Sequence, residues 1–405
     1  MAISHIGTPT LKQLERALAD DELSFNYQPF VSLLTGRPAG AEALVRWNRS
    51  DGSVTLPDDF IPLAERENFI SEITLHMIPR LLADWFLLDG MDRDFALSMN
   101  ISAQDLSTDR LINFIETAID RNELDPCRLG IEITESSMLQ SNALIRKHLR
   151  VLGDMGVSLI MDDYGKGFSS IDTLSQWPFN CIKLDRALIG RMGDSAKSVR
   201  IVSASIRMAH ELDLSVVAEG VQSVDCYEFL MRAGCSRAQG DWIAPALPLP
   251  ELLEFMQHHY CWQALPEGLL HLAQLDHIQW RRALINAVTR MAFGDGYSAE
   301  ERLTDVPEMD YHKCGLGQWY YGPGREFSSN PVFAELEPVH RQLHELGTEL
   351  IRAAKSGESH VRLTGLMREL SRVSIEVIAL LQDLENSAAL SSEKRISYKG
   401  FCGRR

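Results

Sequence analysis

Between about residues 20 and 260, short β-branched and apolar runs alternate with longer amphipathic stretches, and this constrains the fold more than any other feature of the chain. Strand, crossover helix and strand in repetition give a mostly parallel sheet with helices packed on it. The strand runs are Phe25–Leu33, Gly40–Trp47, Phe95–Ile101, Leu129–Thr134, Val157–Asp162, Cys181–Asp185, Ser215–Ala218 and Ala238–Trp242. Helical spacing fills the gaps at Phe69–Leu88, Asp109–Arg121, Leu144–Met155, Ser198–Leu212 and Leu249–His259. Eight strands close a barrel, so the fold class is α/β, a TIM-like (β/α)8 barrel over residues 8–260. Only Thr35-Gly36-Arg37-Pro38 separates the first two runs, too little chain for a parallel crossover, so the barrel should open with an antiparallel strand.

Beyond about residue 265 the alternation stops. Amphipathic helices are predicted over Leu269–Met291, Val332–Lys355 and Val361–Leu384, an all-α helical bundle over 265–387, followed by a Lys/Arg-rich tail, 388–405, expected to be disordered. A formal charge of −16 argues against a nucleic-acid polymer or an anionic membrane as partner, since both require a basic face. The start, Met-Ala-Ile-Ser-His, has no signal-peptide character and no apolar run is long enough to span a bilayer, so a cytoplasmic location is expected. The cysteines, odd in number at 7 and widely scattered, do not read as a disulfide framework.

The chemistry is written where acidic residues fall within or just after apolar strand runs. Burying a carboxylate there is costly unless it is paired or binds a metal. Glu42, Glu132, Glu135, Asp162, Asp163, Asp185 and Glu219 all occupy such positions, with Asn100 and Lys183 among them. In a barrel the C-terminal strand ends converge on one face, so these groups should cluster. Oxygen donors without thiols or paired histidines suit Mg²⁺ or Mn²⁺. Two such ions can activate water and neutralise phosphate oxygens during in-line displacement. A strand-end acid taken singly is more often a helix cap or surface charge, and Lys183 taken singly is equally a salt-bridge partner of Asp185.

The ordered set Tyr27-Gln28-Pro29, Glu42-Ala43-Leu44-Val45-Arg46, Asn100-Ile101-Ser102, Glu132-Ile133-Thr134-Glu135, Asp162-Asp163-Tyr164-Gly165, Lys183-Leu184-Asp185, Glu219-Gly220-Val221 and Gln239-Gly240 resembles the EAL phosphodiesterase domain. The resemblance implies hydrolysis of cyclic di-GMP to linear pGpG by a homodimeric enzyme. It implies Glu42, Asn100, Glu132 and Asp162 as ligands of one ion, with Asp162 shared and Asp163 and Asp185 serving a second. Lys183 would contact the nucleophilic water or phosphate, Glu219 would act as base or outer ligand, and Gln239 would position the water. Gln28, Leu44 and Arg46 would meet substrate, unless Arg46 serves a structural salt bridge. Glu135 would hold the loop 163–170. The sequence departs from the family pattern at Tyr164, Gln222 and Asp241, none of them an implied metal ligand.

In the helical segment His340 and His344 stand four apart, so both imidazoles share one helix face. With His277 on an earlier helix and Cys314 between helices, they make a Cys/His₃ set suited to Zn²⁺, with His312 a competing ligand. The pattern resembles the chemoreceptor zinc-binding domain, CZB, and implies those residues as its zinc ligands, in a domain that could regulate the barrel.

Overall fold

The short turn after the first strand lays β1 (Leu23–Ser32) antiparallel against β2 (Pro38–Asn48), with Gln28 opposite Glu42. This computed structural model describes residues 9–92, 94–138, 142–166, 174, 177–212, 214–258, 262, 266–293 and 306–392. After β2 come a short β3 (Val54–Thr55), then β4 (Ala96–Asn100), β5 (Leu129–Thr134), β6 (Ser158–Tyr164), β7 (Cys181–Leu184), β8 (Ser215–Ala218) and β9 (Arg237–Gln239). From β2 through β4 to β9 each neighbouring pair is parallel, and β9 returns antiparallel to β1, with Gln239 opposite Phe30. Eight strands thus close the barrel, and its first strand is antiparallel to both neighbours. β3 and β10 (Leu247–Pro248), two-residue additions to β2 and β1, were not anticipated. Nor were the helices Leu11–Ala19 and Pro57–Arg66, whose runs are short.

Strands buried on both faces need nearly continuous apolar sequence. Ile131, Ile133, Leu159, Met161, Ile182, Leu184, Val216 and Ala218 accordingly have no exposed surface. Over the helix Ile70–Asp89 the buried positions are Ile70, Ile73, Thr74, Met77, Ile78, Leu81, Trp85 and Leu88, the three- and four-residue spacing of one helix face. Each large apolar side chain buried in this way contributes about 1.5–3 kcal/mol relative to exposure.

Two compact units make up the chain, the first ending at Trp262 and the second containing everything from Gln263 onward. The second holds the helices Pro266–Phe293, Gly315–Tyr321, Pro331–Lys355 and His360–Ser392. The third of these begins where Asn330 caps the amide of Val332 and Pro331 takes the first helical position. Its buried face includes Phe333, Leu336, Leu343, Leu350 and Ile351, yet His340 and His344 lie within the same stripe. The Gly315–Tyr321 helix was missed because a two-turn element leaves too short a periodic signal. Residues 393–405, most of the expected tail, lie outside the described residues.

The last barrel strand ends at Gln239 because the chain turns sharply at Gly240. Val221 N–H donates to Gln239 carbonyl at 3.0 Å, Trp242 N–H donates to Val221 carbonyl at 3.1 Å, and a Cβ on Gly240 would run into the Val221 backbone. Gly240→Ala is therefore expected to lower the unfolding free energy by about 1–3 kcal/mol, measured as a lower guanidinium midpoint with an unchanged slope.

Candidate active site and metal centre

At the C-terminal strand ends of the barrel, a single buried ammonium organises the carboxylates. Lys183 Nζ on β7 lies 2.8 Å from Glu42 Oε2 on β2, 2.7 Å from Glu132 Oε2 on β5 and 2.6 Å from Glu219 Oε1 just after β8. Asp162 Oδ1 on β6 is 4.0 Å away. Glu42 also accepts from Asn100 Nδ2 at 2.7 Å and Gln239 Nε2 at 2.8 Å, and Gln239 Nε2 reaches Gln28 Oε1 at 3.2 Å. Residues from β1, β2, β4, β5, β6, β7 and β9 thereby meet at one place, as the strand-end reading expected. Among the described residues Lys183 does not form the alternative pair with Asp185; its side chain runs to the four carboxylates instead.

One ammonium cannot neutralise four acids in a buried setting. Burial would favour the neutral amine of Lys183, but the surrounding carboxylates outweigh it and hold the lysine firmly protonated. Burial also opposes ionisation of Glu42, yet Lys183 and the Gln239 and Asn100 donors prevail and keep it a carboxylate. Burial, reinforced by the neighbouring acids, pushes Glu132 and Asp162 upward and Glu219 to about 7. The cluster is therefore short of positive charge. Gln239 Oε1, in addition, is buried without a hydrogen-bond partner among the described residues. Surplus hard oxygen donors, one of them unpartnered, fit divalent cations of the Mg²⁺ or Mn²⁺ type.

Asp162 and Asp163 are consecutive, and in a regular strand their side chains would point to opposite faces. A bulge prevents this: Met161 pairs with Ile182 and Tyr164 with Leu184, so the two aspartates together oppose Lys183. Asp163 sits at φ 61°, and its amide donates to Asp162 Oδ1 at 2.8 Å. Its carboxylate pairs with Lys166 Nζ, which also lies 3.1 Å from Asp185 Oδ2. Asp185 is itself the N-cap of a short helix, accepting from Ala187 N–H at 2.8 Å. The pair expected to serve a second ion thus sits beside the first group, bridged by Lys166, which sequence reading passed over as a loop residue.

Arg46 is half-buried and donates to the Val45 carbonyl at 3.0 Å, while Leu44 is half-buried on the same strand. Glu135 is buried at the end of β5. Residues 167–170 of the loop it was expected to hold lie outside the described residues.

In the second unit, ligand atoms of Cys314, His340 and His344 lie within 4.8 Å of one another. Cys314 Sγ is 3.3 Å from His340 Nε2, a separation suited to two ligands of one tetrahedral ion. Cys314 is the N-cap of the Gly315–Tyr321 helix and accepts from Gly317 N–H at 3.3 Å, a helix end that favours a thiolate. Without a metal, burial pushes the thiol up to about 11. Burial, then the like charge of His344, pushes His340 down to about 3, so it stays a neutral, ligating imidazole. His277 is buried, but it is not among the three converging residues; its Nε2 bonds to Ser374 Oγ at 2.9 Å. His344 Nδ1 likewise bonds to the Met309 carbonyl at 2.9 Å. The competing His312 is exposed and bonds to Asp310. Ser374 and Met309 carry no sequence signal, because each reaches its histidine only across the helical packing.

Residues 11–246 match the EAL domain and residues 277–351 the chemoreceptor zinc-binding domain. The chain belongs to the EAL family. Among curated relatives it is 34% identical, over 60% of its own length and 36% of the other's, to the bifunctional diguanylate cyclase/cyclic di-GMP phosphodiesterase MucR of Pseudomonas aeruginosa. It is 32% identical, over 61% of its length and 63% of the other's, to the cyclic di-GMP phosphodiesterase RocR of the same organism. The chain therefore spans less than two thirds of either protein. Among solved structures, the MucR phosphodiesterase in complex with cyclic di-GMP aligns at a TM-score of 0.56 with 32% identity, covering 60% of this chain and 98% of that one. The EAL enzyme Bd1971, bound to cAMP and cyclic di-GMP, aligns at 0.58 with 28% identity, covering 60% and 67%. Each of these relatives and structures covers about 60% of this chain. No described helix is long and apolar enough to cross a membrane.

If Lys183 holds the EAL site together, Lys183→Met should cost about 3–5 kcal/mol in chelator-treated protein, because it leaves buried charges unpaired. Lys183→Met combined with Glu132→Gln should cost less than the sum of the single changes, by guanidinium unfolding.

Proposed function

We propose that this protein hydrolyses cyclic di-GMP to linear pGpG at the barrel mouth, with Mg²⁺ or Mn²⁺, under the control of a zinc-binding helical unit. The observation that carries the reading is the convergence of Glu42, Asn100, Glu132, Asp162, Glu219 and Gln239 around Lys183, a charge-deficient oxygen cluster formed by the residues that the EAL resemblance implies. Glu42, Asn100, Glu132 and Asp162 would hold one ion, and Asp162, Asp163 and Asp185 a second. When bound, the ions supply an activated water and charge neutralisation on the phosphate. Lys183 holds the carboxylates in register and offers its ammonium to a phosphate oxygen. Glu219, 2.6 Å from Lys183 at the edge of the cluster, accepts the proton from water or braces the ligands. Gln239 aims its free Oε1 at the water, and Gln28, Leu44 and Arg46 line the substrate's approach, Arg46 opposite a phosphate. Glu135 braces the loop after β6. The acting form would be a cytoplasmic homodimer.

For the helical unit we read Cys314, His340, His344 and His277 as the zinc set. Hydrogen bonds to Ser374 and to the Met309 carbonyl occupy His277 Nε2 and His344 Nδ1, leaving Nδ1 of His277 and Nε2 of His344 as ligand atoms. Zinc occupancy would then set the rate at the barrel.

Glu42→Ala should lower pGpG formation by about 100-fold or more while leaving bound zinc per chain unchanged, as read by chromatography of the product and atomic absorption. Undiminished turnover would sink the catalytic assignment. Equal turnover of zinc-loaded and zinc-stripped protein would sink the regulatory one. Ser374→Ala is expected to weaken zinc binding by about 10-fold in competition with a chromogenic chelator, with Ser374→Thr restoring it.

A further inference from the structure

The carboxylates of Asp163 and Asp185 are bridged by an ammonium of the chain itself. Lys166 Nζ pairs with Asp163 and lies 3.1 Å from Asp185 Oδ2, and burial, which alone would favour the neutral amine, is outweighed by these two acids. Its backbone is tied to the same place, since Lys166 N–H donates to the Asp163 carbonyl at 3.1 Å and closes a tight turn through Gly165 at φ 101°. Asp185 cannot swing away to find another partner. Its side chain is 4% exposed, its amide donates to the Tyr164 carbonyl and its Oδ1 caps Ala187. Lys166, by contrast, is half exposed and can move into water at little cost.

We propose that Lys166 is a tethered cation that competes with the second divalent ion for Asp163 and Asp185, and so sets the metal concentration at which this protein acquires its full complement. The inference rests on the reading of these two aspartates as ligands of that ion. A divalent ion and an ammonium a few ångströms apart on the same carboxylates repel each other, so an ammonium that can reach water gives way. Binding of the second ion therefore displaces the half-exposed Lys166 side chain, whereas Lys183, which shares Glu42 and Glu132 with the first ion, is fully buried and stays in place. The two ions should bind with unequal affinity, and the weaker step is the one that Lys166 governs.

The test uses the full chain, stripped with chelator and titrated with Mn²⁺, following free ion by electron paramagnetic resonance and heat by calorimetry. Wild type should bind two barrel ions, and Lys166→Met should tighten the weaker by about 10-fold, a change of 1.4 kcal/mol, without altering the tighter one. Lys166→Arg, which keeps the charge, should stay near wild type. Lys166→Thr serves as a second neutral variant should Lys166→Met perturb the fold by circular dichroism. Unchanged or weaker Mn²⁺ binding in both neutral variants overturns the proposal. Hydrolysis of cyclic di-GMP, measured in parallel, separates the two readings. Wild-type turnover with Lys166-independent Mn²⁺ affinity refutes this inference alone, and Lys166-dependent affinity without turnover refutes the catalytic reading alone.

Discussion

The barrel mouth depends on one interaction, the buried ammonium of Lys183 among Glu42, Glu132, Glu219 and Asp162. Four acids brought together by strands that end on the same face would repel one another and resist burial. A single fixed cation makes the arrangement foldable without satisfying it. Because Glu132, Asp162 and Glu219 remain short of counter-charge, the site keeps an electrostatic demand for further cations. Stability and function thus draw on the same imbalance: enough positive charge for the strands to close, too little for the carboxylates to be at rest.

The helical unit solves the opposite problem. Its candidate ligands sit in an apolar stripe where charge is unwelcome, and burial keeps His340 and His277 neutral, the latter near 4. Neutral imidazoles beside a helix-capping cysteine form a soft donor set, unlike the hard oxygens of the barrel. The two sites can therefore select different metals by chemistry alone. Within the helical unit the orientation of the rings is set by partners far away in sequence, Ser374 for His277 and the Met309 carbonyl for His344.

Backbone irregularity does the finer placement in the barrel. The bulge opposite Lys183, with Asp163 in a left-handed conformation, sends the carboxylates of two consecutive residues to adjacent tasks, one toward Lys183 and one toward Lys166. A regular strand would have buried one of them in the wall. The antiparallel first strand has a similar consequence, since it sets Gln28 across from Glu42 and Phe30 across from Gln239, and so closes the ring of polar side chains around Lys183.

By itself the sequence determined the eight-strand alternation, the antiparallel start and the strand-end positions of Glu42, Asn100, Glu132, Asp162, Lys183 and Glu219, because period and polarity are local properties that a linear reading captures. It equally marked His340 and His344 as one helix face. Only the tertiary structure decided which carboxylates Lys183 serves, that Lys166 rather than Lys183 meets Asp185, that β6 bulges between its aspartates and that His277 is held by Ser374. Each of these is a choice among partners distant in the chain. Such choices are made by distance and desolvation, and neither exists until the strands and helices have packed.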